Sequence, residues 1–196
     1  ILAATLFGMG CSSVNITKEQ LQNGIIAYYP FNGNAKDESG NGNDGKVEGA
    51  TLTADRYGED NRAYSFDGSD DYIDLPELNY NKNNSFAIAF WFNPKADQKA
   101  QYVIDMRQDD NQGKAASIIY NAYGKNSLTY TVYGSSAQWV PFEVTLELGN
   151  PYHIVVLHNS NSKETVAYID GEKLSSIPMI SLTMKSSRFM RIGYRA

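Results

Sequence analysis

The feature that most restricts the fold of this chain is a strongly apolar segment with a period of two. In residues 85–94, SFAIAFWFNP, large apolar side chains occupy every second position from Phe86 to Phe92. The positions between them hold alanines and Trp91, which are also apolar. Successive side chains of a strand point to opposite faces, so this pattern predicts a strand covered on both faces, with Trp91 in the core.

Further β-rich runs recur along the chain and are separated by glycine and asparagine turns such as Asn32-Gly33 and Asp170-Gly171. These residue types supply the positive φ that tight turns need. The runs cover residues 24–31, 72–75, 101–106, 117–123, 127–133, 152–158, 165–169 and 189–194. No stretch shows an amphipathic helical period. The sequence therefore predicts an all-β fold, a two-sheet antiparallel β-sandwich in which each sheet covers the apolar face of the other.

Length and charge exclude several classes of protein. A chain of 196 residues fits one domain with a substantial core. Its 17 Lys and Arg against 22 Asp and Glu give a net charge of -5, which argues against a nucleic-acid partner because that affinity rests on concentrated positive charge. One cysteine and two histidines exclude an internal disulfide and a Cys/His metal cluster.

The first 11 residues, ILAATLFGMGC, resemble the end of a bacterial lipoprotein signal. A short apolar run ending in small residues is typical of a secretory signal, and Cys11 is the expected lipidation site. We therefore expect residues 1–11 to be a signal remnant, residues 12–23 to be a polar tether, and the protein to be exported and membrane-anchored through Cys11. The expected location is the cell envelope, as an outer-membrane lipoprotein or at the cell surface. The alternative is a buried N-terminal strand with an ordinary core cysteine.

Two opening segments carry a more specific resemblance: residues 24–58, GIIAYYPFNGNAKDESGNGNDGKVEGATLTADRYG, and residues 63–76, AYSFDGSDDYIDLP. With SFAIAFWFNP, NPYHIVVLHN and VAYIDGEKL further on, they resemble a bacterial laminin-G-like domain of the concanavalin A-like lectin/glucanase superfamily. The resemblance spans residues 24–196. It implies a jelly-roll sandwich with one concave sheet, serving as a ligand-binding or adhesion module.

The end of the chain departs from that family pattern. Members continue past an Ile-Gly segment like Ile192-Gly193 into a final strand that lies beside the first strand. We therefore expect this domain to lack its final strand and residues 24–31 to lack a neighbour, which would leave unpaired backbone groups on an apolar strand.

A polar loop offers a candidate calcium site. Asp37, Asn41, Asn43 and Asp44 carry oxygen ligands on a glycine-rich segment, and Ca²⁺ accepts six to eight such oxygens in irregular geometry. Some members of the resembled family hold Ca²⁺ near this loop. The alternative is that these side chains hydrogen-bond to the backbone of a long turn.

Glycan binding requires an exposed aromatic face with polar groups beside it. Trp139 lies in the polar setting Ser-Ser-Ala-Gln and is the first candidate. Tyr120, Asn121 and Tyr123 are the further candidates. The expected ligand is a glycan, or alternatively a surface protein that the domain recognises as an adhesion or scaffolding module.

The sequence argues against catalysis. Glycosidases need two opposed carboxylates, and the Glu-x-Asp-x-x-Glu motif of the laminarinase-like branch is missing. His153 and His158 are five residues apart, which on one strand places them on opposite faces. We therefore expect a non-enzyme, with a glycoside hydrolase relative as the less favoured alternative.

Overall fold

The computed structural model describes residues 24–78, 85–95, 100–106, 116–122, 124, 126–133, 137–159, 161–178 and 190–194. These residues contain β-strands and no helix. The strands are β1 Lys46–Glu48, β2 Thr51–Thr53, β3 Ala63–Ser65, β4 Tyr72–Leu75, β5 Phe86–Phe92, β6 Gln101–Met106, β7 Ala116–Tyr120, β8 Ser127–Tyr133, β9 Ala137–Thr145, β10 Tyr152–Asn159, β11 Glu164–Ile169, β12 Glu172–Pro178 and β13 Met190–Tyr194. Nothing in this part of the chain forms a helix long and apolar enough to cross a membrane.

The strands form two main sheets and a small hairpin. The large sheet has the order β1-β4-β13-β6-β7-β8-β9, the small sheet has the order β12-β11-β10-β5, and β2 pairs with β3. Every pairing between described strands is antiparallel. The predicted all-β sandwich is confirmed.

The core lies between the two main sheets. Successive side chains of a strand point to opposite faces, so every second side chain points into the core. On the small sheet, Ile88 of β5 stands opposite Val156 of β10, and both side chains are buried. Phe92 of β5 meets Tyr120 of β7 with ring centroids 5.3 Å apart, which joins one sheet to the other. Burial of each such side chain stabilises the fold by roughly 1.5–3 kcal/mol.

The prediction that Trp91 lies in the core is wrong. Trp91 stands opposite His153 on the face of the small sheet that points away from the core, and it is only half-buried. Its neighbours Phe90 and Phe92 belong to the core side. The apolar run did predict the strand, but it did not distinguish the covered face from the outer one. As the spacing predicted, His158 lies on the opposite face from His153 and stacks on Phe86.

Residues 24–31 were predicted as a strand, but in the described part of the chain they join no ladder. The alternation is nevertheless present in their burial, since Ala27, Tyr29 and Phe31 are all core residues. The segment therefore contributes a strand-like row of side chains to the core without strand pairing.

Candidate functional site

A large aromatic side chain is exposed on the turn of residues 55–59, here called the Tyr57 turn. Tyr57 is 73% exposed. Asp55 Oδ1 accepts hydrogen bonds from the backbone N–H groups of Tyr57 at 2.8 Å and Glu59 at 3.0 Å. Gly58 has φ 85, a value that glycine adopts at little cost. The turn is therefore held in one conformation by its own backbone contacts, with the tyrosine ring outside.

The same contacts affect the acidity of Asp55. Its slight burial acts to raise the pKa, but the N–H groups of Tyr57 and Glu59 and the positive charges of Arg56 and Arg62 lower the pKa below its ordinary value. Hydrogen bonds to the charged form of a carboxylate favour that form. Asp55 therefore acts as an ionised cap for the turn.

Arg56 connects the Tyr57 turn to the small sheet. Its guanidinium carbon lies 4.1 Å from the ring centroid of Tyr57 and 4.1 Å from that of Trp91. Arginine over an aromatic face is attracted by the ring quadrupole. Trp91 in turn lies 5.1 Å from the His153 ring. The result is a layered arrangement of aromatic and cationic groups that presents Tyr57 to solvent.

A cavity of about 490 Å³, here called the β5 groove, opens beside this arrangement. Its lining includes the aromatic residues Tyr29, Phe31, Phe90 and Phe92, and charged residues of both signs, among them Arg56 and Asp55. The volume falls within the range of pockets that hold small ligands.

A second polar feature crosses the face of the large sheet that points away from the core. The strand registers place Asp74, Arg191, Asp105, Ser117 and Thr131 side by side on five strands. We call these five residues the polar row. Arg191 Nε donates to Asp74 Oδ1 at 2.6 Å, and Ser117 Oγ donates to Asp105 Oδ1 at 2.8 Å. Asp74 and Arg191 are partly exposed, whereas the other three are buried.

The predicted ligand residues are divided between several places. Trp139 stands opposite Thr131 in the register of β8 and β9, at the end of the polar row. Tyr120 packs in the core with 1% exposure, a place that does not favour ligand contact. Asn121 is also buried, and its Oδ1 accepts from Asn126 N across the β7–β8 turn. Tyr123 lies outside the described residues, as does Cys11.

Asp37 is the centre of a hydrogen-bond network rather than an open ligand. Its Oδ1 accepts from the N–H groups of Tyr28 and Ser39, both at 2.9 Å. Its Oδ2 accepts from Ser39 Oγ at 2.8 Å and from Asn43 N at 2.9 Å. Burial acts to raise the pKa of Asp37, but these hydrogen bonds hold the pKa below its ordinary value. A carboxylate accepts about four hydrogen bonds, so Asp37 is fully occupied.

The other predicted calcium ligands also bind the backbone. Asn41 Nδ2 donates to the carbonyl of Ile25 at 2.9 Å, and Asn43 Nδ2 donates to that of Ile26 at 2.8 Å. Asp44 Oδ1 accepts from Asp37 N at 2.9 Å. The loop thus fits the long-turn alternative, and its side chains clamp residues 25–28. A calcium site centred on Asp37 does not fit this arrangement, because its lone pairs already have donors.

A different acidic group is arranged so that it could hold a metal ion. Oxygen atoms of Asp67, Asp70 and Asp71 lie within 4.8 Å of one another. Asp71 Oδ2 accepts from Asp67 N, and Asp67 Oδ1 accepts from Ser69 N. Asp67 and Asp71 therefore each use at least one carboxylate oxygen to stabilise the loop itself.

Sequence reasoning missed the Tyr57 turn. Tyr57 stands in the polar run Asp55-Arg56-Tyr57-Gly58-Glu59, which is the same kind of setting that singled out Trp139. An aromatic side chain beside a glycine in a charged turn is the pattern that could have identified it.

The fold and these surfaces define an antiparallel two-sheet domain of the jelly-roll type. The chain belongs to the concanavalin A-like lectin/glucanases superfamily, because the profile of its laminin-G-like family matches residues 67–196, about two thirds of the chain. The laminin-G-like resemblance is thereby confirmed. No match was found among curated proteins.

Solved structures share this fold at low sequence identity. Domain 4 of AbnA, a GH43 extracellular arabinanase from Geobacillus stearothermophilus solved with arabinotriose, has a TM-score of 0.70 and 15% identity, over 86% of this chain and 82% of that chain. A structure from work on the entry of botulinum neurotoxin type C, which depends on two ganglioside molecules, has a TM-score of 0.64 and 18% identity, over 93% and 44%. The binding domain of botulinum neurotoxin DC with rat synaptotagmin II has a TM-score of 0.59 and 17% identity, over 86% and 43%.

The present chain therefore spans less than half the length of these neurotoxin chains. At these identities the similarity shows a shared fold, and the function has to be argued from the site.

Proposed function

We propose that this domain is a non-catalytic glycan-binding module whose binding surface is the Tyr57 turn. The observation that carries the proposal is the 73% exposure of Tyr57 on a turn fixed by Asp55. A sugar ring presents an apolar C–H surface that packs on an aromatic face, while its hydroxyl groups need polar partners nearby. The guanidinium of Arg56 lies in the same turn as Glu59, which is exposed, and these two residues provide such partners.

The rigidity of the turn supports binding. Ordering a flexible loop on association costs free energy, and a surface that is already ordered avoids that cost. Arg56 Nη2 donates to the Tyr57 hydroxyl at 3.0 Å, and the stack on Trp91 supports the guanidinium from the sheet side. The solved structures with arabinotriose and the ganglioside-dependent toxin, which share the fold, favour a carbohydrate ligand over other small molecules.

The two carboxylates of the polar row, Asp74 and Asp105, do not favour hydrolysis. Glycosidases place two carboxyl groups on either side of the scissile bond. Asp74 and Asp105 lie on the two strands that flank β13, with Arg191 between them. Arg191 binds Asp74, Ser117 binds Asp105, and Asp105 is only 4% exposed. A glycosidic bond therefore has no access to both carboxylates from this face.

The second candidate function is recognition of a protein, as an adhesion or scaffolding module. It is favoured by the structure of a same-fold domain in complex with rat synaptotagmin II.

We also propose that the protein is exported and anchored in the cell envelope through lipidated Cys11, with residues 12–23 as a tether. The apolar run before Cys11 supports this proposal. Mass spectrometry of the mature protein tests it: an acylated N-terminal Cys11 is expected, and a mature chain that retains the preceding residues without lipid contradicts it.

We propose a calcium site only at the cluster of Asp67, Asp70 and Asp71. The carboxylate of Asp37 is excluded because it already accepts hydrogen bonds from N–H and O–H groups of the protein. Calorimetry with CaCl₂ tests this assignment. We expect Asp71→Asn to abolish calcium binding and Asp37→Asn to leave it in place. Calcium binding that is lost only in Asp37→Asn contradicts the assignment.

The glycan proposal is tested with a glycan array that includes arabinotriose, with and without EDTA. We expect the wild-type signal to fall at least tenfold in Tyr57→Ala and to persist in Tyr57→Phe, because phenylalanine keeps the aromatic face. Leu148→Ala, which removes another exposed apolar side chain, is the matched control. Loss of signal in Trp139→Ala but not in Tyr57→Ala would move the site to β9. Release of reducing sugar would overturn the non-catalytic assignment.

A further inference from the structure

We propose that the Tyr57 turn selects neutral glycans over glycans that carry carboxylate, sulfate or phosphate groups. This inference rests on the proposed function and names the class of ligand for the same site. It follows from the positions of the charged groups relative to the exposed ring of Tyr57. One cation lies behind the ring, and carboxylates stand beside it on the exposed part of the turn.

Only one face of the Tyr57 ring is open to a sugar. The guanidinium carbon of Arg56 lies over the other face, 4.1 Å from the ring centroid. Tyr57 is nevertheless 73% exposed, so the face opposite Arg56 is the one that meets solvent. A sugar in contact with this outer face at about 4 Å lies roughly 8 Å from the guanidinium carbon.

The charge of Arg56 is further enclosed on the side of the small sheet. The guanidinium carbon lies 4.1 Å from the ring centroid of Trp91, Nη2 donates to the Tyr57 hydroxyl at 3.0 Å, and Nε is buried. The cation is therefore held between two aromatic rings. The Tyr57 ring separates it from an acidic group on a sugar that stacks on the outer face.

The second cation near the turn, Arg62, is also engaged by the protein. Its Nη1 donates to Asn32 Oδ1. The charges of Arg56 and Arg62 both act on Asp55, whose carboxylate caps the turn. Asp55 therefore offsets part of the positive charge on the inner side of the turn.

The exposed part of the turn is acidic. Glu59 and Asp60 follow Gly58 and are both exposed, and neither forms an ion pair within the described part of the chain. Glu59 is fixed in place because its backbone N–H donates to Asp55. These two carboxylates lie beside the open face of the aromatic ring, and the hydroxyl groups of a neutral sugar can donate hydrogen bonds to them.

The surroundings do not reverse this sign. The lining of the β5 groove adds Lys95 and Asp67, one residue of each charge, and Asp70 and Asp71 lie next to Asp67. In water, a ligand carboxylate at about 7 Å from one protein carboxylate loses affinity by roughly threefold, and two such carboxylates reduce it by roughly tenfold. An acidic glycan is therefore disfavoured at this site, whereas a neutral glycan pays no such cost.

The test is a glycan array at about 20 mM NaCl, where exposed charges are weakly screened. It contains matched pairs: galactan with polygalacturonate, mannan with polymannuronate, and desialylated with sialylated oligosaccharides. We expect the signals that Tyr57→Ala removes to come from the neutral members, and each acidic counterpart to bind at least tenfold more weakly.

The outcomes separate this inference from the proposed function. An acidic member that binds as strongly as its neutral counterpart, and loses binding in Tyr57→Ala, overturns the selection of neutral glycans and leaves the glycan proposal intact. If no member gives a signal that depends on Tyr57, the glycan proposal fails and this inference fails with it.

A charge variant tests the cause of the selection. Asp60→Lys replaces an exposed carboxylate of the turn by a cation, and Glu77→Lys makes the same change on an exposed residue after β4. We expect Asp60→Lys to reduce the ratio of neutral to acidic binding at least threefold, and Glu77→Lys to change it less. About 200 mM NaCl should also reduce the wild-type ratio, because salt screens exposed charges. A ratio that responds to neither Asp60→Lys nor salt overturns electrostatic selection at the turn.

Discussion

Asp37 illustrates how one side chain can organise a segment that has no ladder of its own. Its carboxylate joins Tyr28, Ser39 and Asn43 through four hydrogen bonds. The amides of Asn41 and Asn43 hold the carbonyl groups that precede Tyr28. The phenol of Tyr29 donates to the Asn43 carbonyl at 2.5 Å, and burial together with the charges of Asp37 and Asp44 raises the pKa of this phenol. The loop thereby keeps the Tyr29 side chain in the core.

We predict that Asp37→Asn destabilises the domain by about 1–3 kcal/mol, the cost of leaving polar groups of a network unsatisfied. An asparagine amide places donors where the Ser39 and Asn43 donors need an acceptor. Urea unfolding measures the difference. Asp44→Asn is the control, because its Oδ1 can still accept from Asp37 N, and it should cost less. Equal effects of the two substitutions would contradict the network.

His158 gives the domain a predicted dependence on pH. Burial lowers the pKa of His158, whose Nδ1 lies 3.0 Å from Thr165 Oγ1. In the unfolded chain histidine has a pKa of about 6.5, so below that pH the unfolded state binds a proton that the folded state does not. The contribution of this group is therefore complete above about pH 6.5 and decreases as the pH falls toward the folded-state pKa.

The check is the urea midpoint measured from about pH 7.5 to about pH 5.5. We expect it to fall with pH in the wild-type protein and to fall less in His158→Gln, which has no group that titrates in this range. His153→Gln, on the outer face, is the control and should retain the dependence due to His158. A slope unchanged in His158→Gln would refute this account.

At the residue scale, the sequence allowed partial prediction of the site. It identified the polar loop of Asp37 but did not show whether the carboxylate oxygens accept hydrogen bonds or bind a metal. Loops of both kinds have the same composition. The aromatic candidates were chosen by their polar setting, and this criterion applied equally to Tyr57 and Trp139. The exposure of Tyr57 depends on the fold and could not be predicted from this setting.

At the scale of elements, most of the alternating runs were predicted, but β9 and β12 were not, although they have nine and seven residues. The ranges 72–75, 101–106 and 127–133 match β4, β6 and β8 as observed. Strands β1, β2 and β3 have three residues each, too few for a period of two to be recognised. Residues 24–31 have the alternation but not the pairing, since pairing depends on a neighbour that a local pattern does not specify.

Strand β13 depends on a glycine that packs closely against another element. Gly193 has φ 78, and a Cβ atom at this position would collide with the Phe66 ring. We predict that Gly193→Ala destabilises the domain by more than the roughly 1–2 kcal/mol that a left-handed conformation alone costs an alanine. Gly149→Ala is the matched control, because Gly149 has φ 82 and open space around it. Urea unfolding should show a clearly larger loss for Gly193→Ala, and equal losses would contradict the packing argument.

At the scale of the whole molecule, the sequence predicted the architecture better than the site. The alternation in β5 and β10 gives their sheet two different faces. The large sheet covers the inner face through contacts such as that of Phe92 with Tyr120. The functional surfaces arise from residues far apart in sequence, as in the stack of Arg56 on Trp91. No local pattern specifies such a contact. The proposed function therefore requires that a glycan binds at the Tyr57 turn.

The most direct test of that claim is a ¹H–¹⁵N NMR titration of the domain with arabinotriose and with the strongest glycan from the array. We predict that the largest chemical-shift changes occur at the amides of residues 55–59 and at the indole N–H of Trp91, and that Tyr57→Ala removes them. Largest changes along the polar row or at the β7–β8 turn would contradict the account, as would a titration without any change.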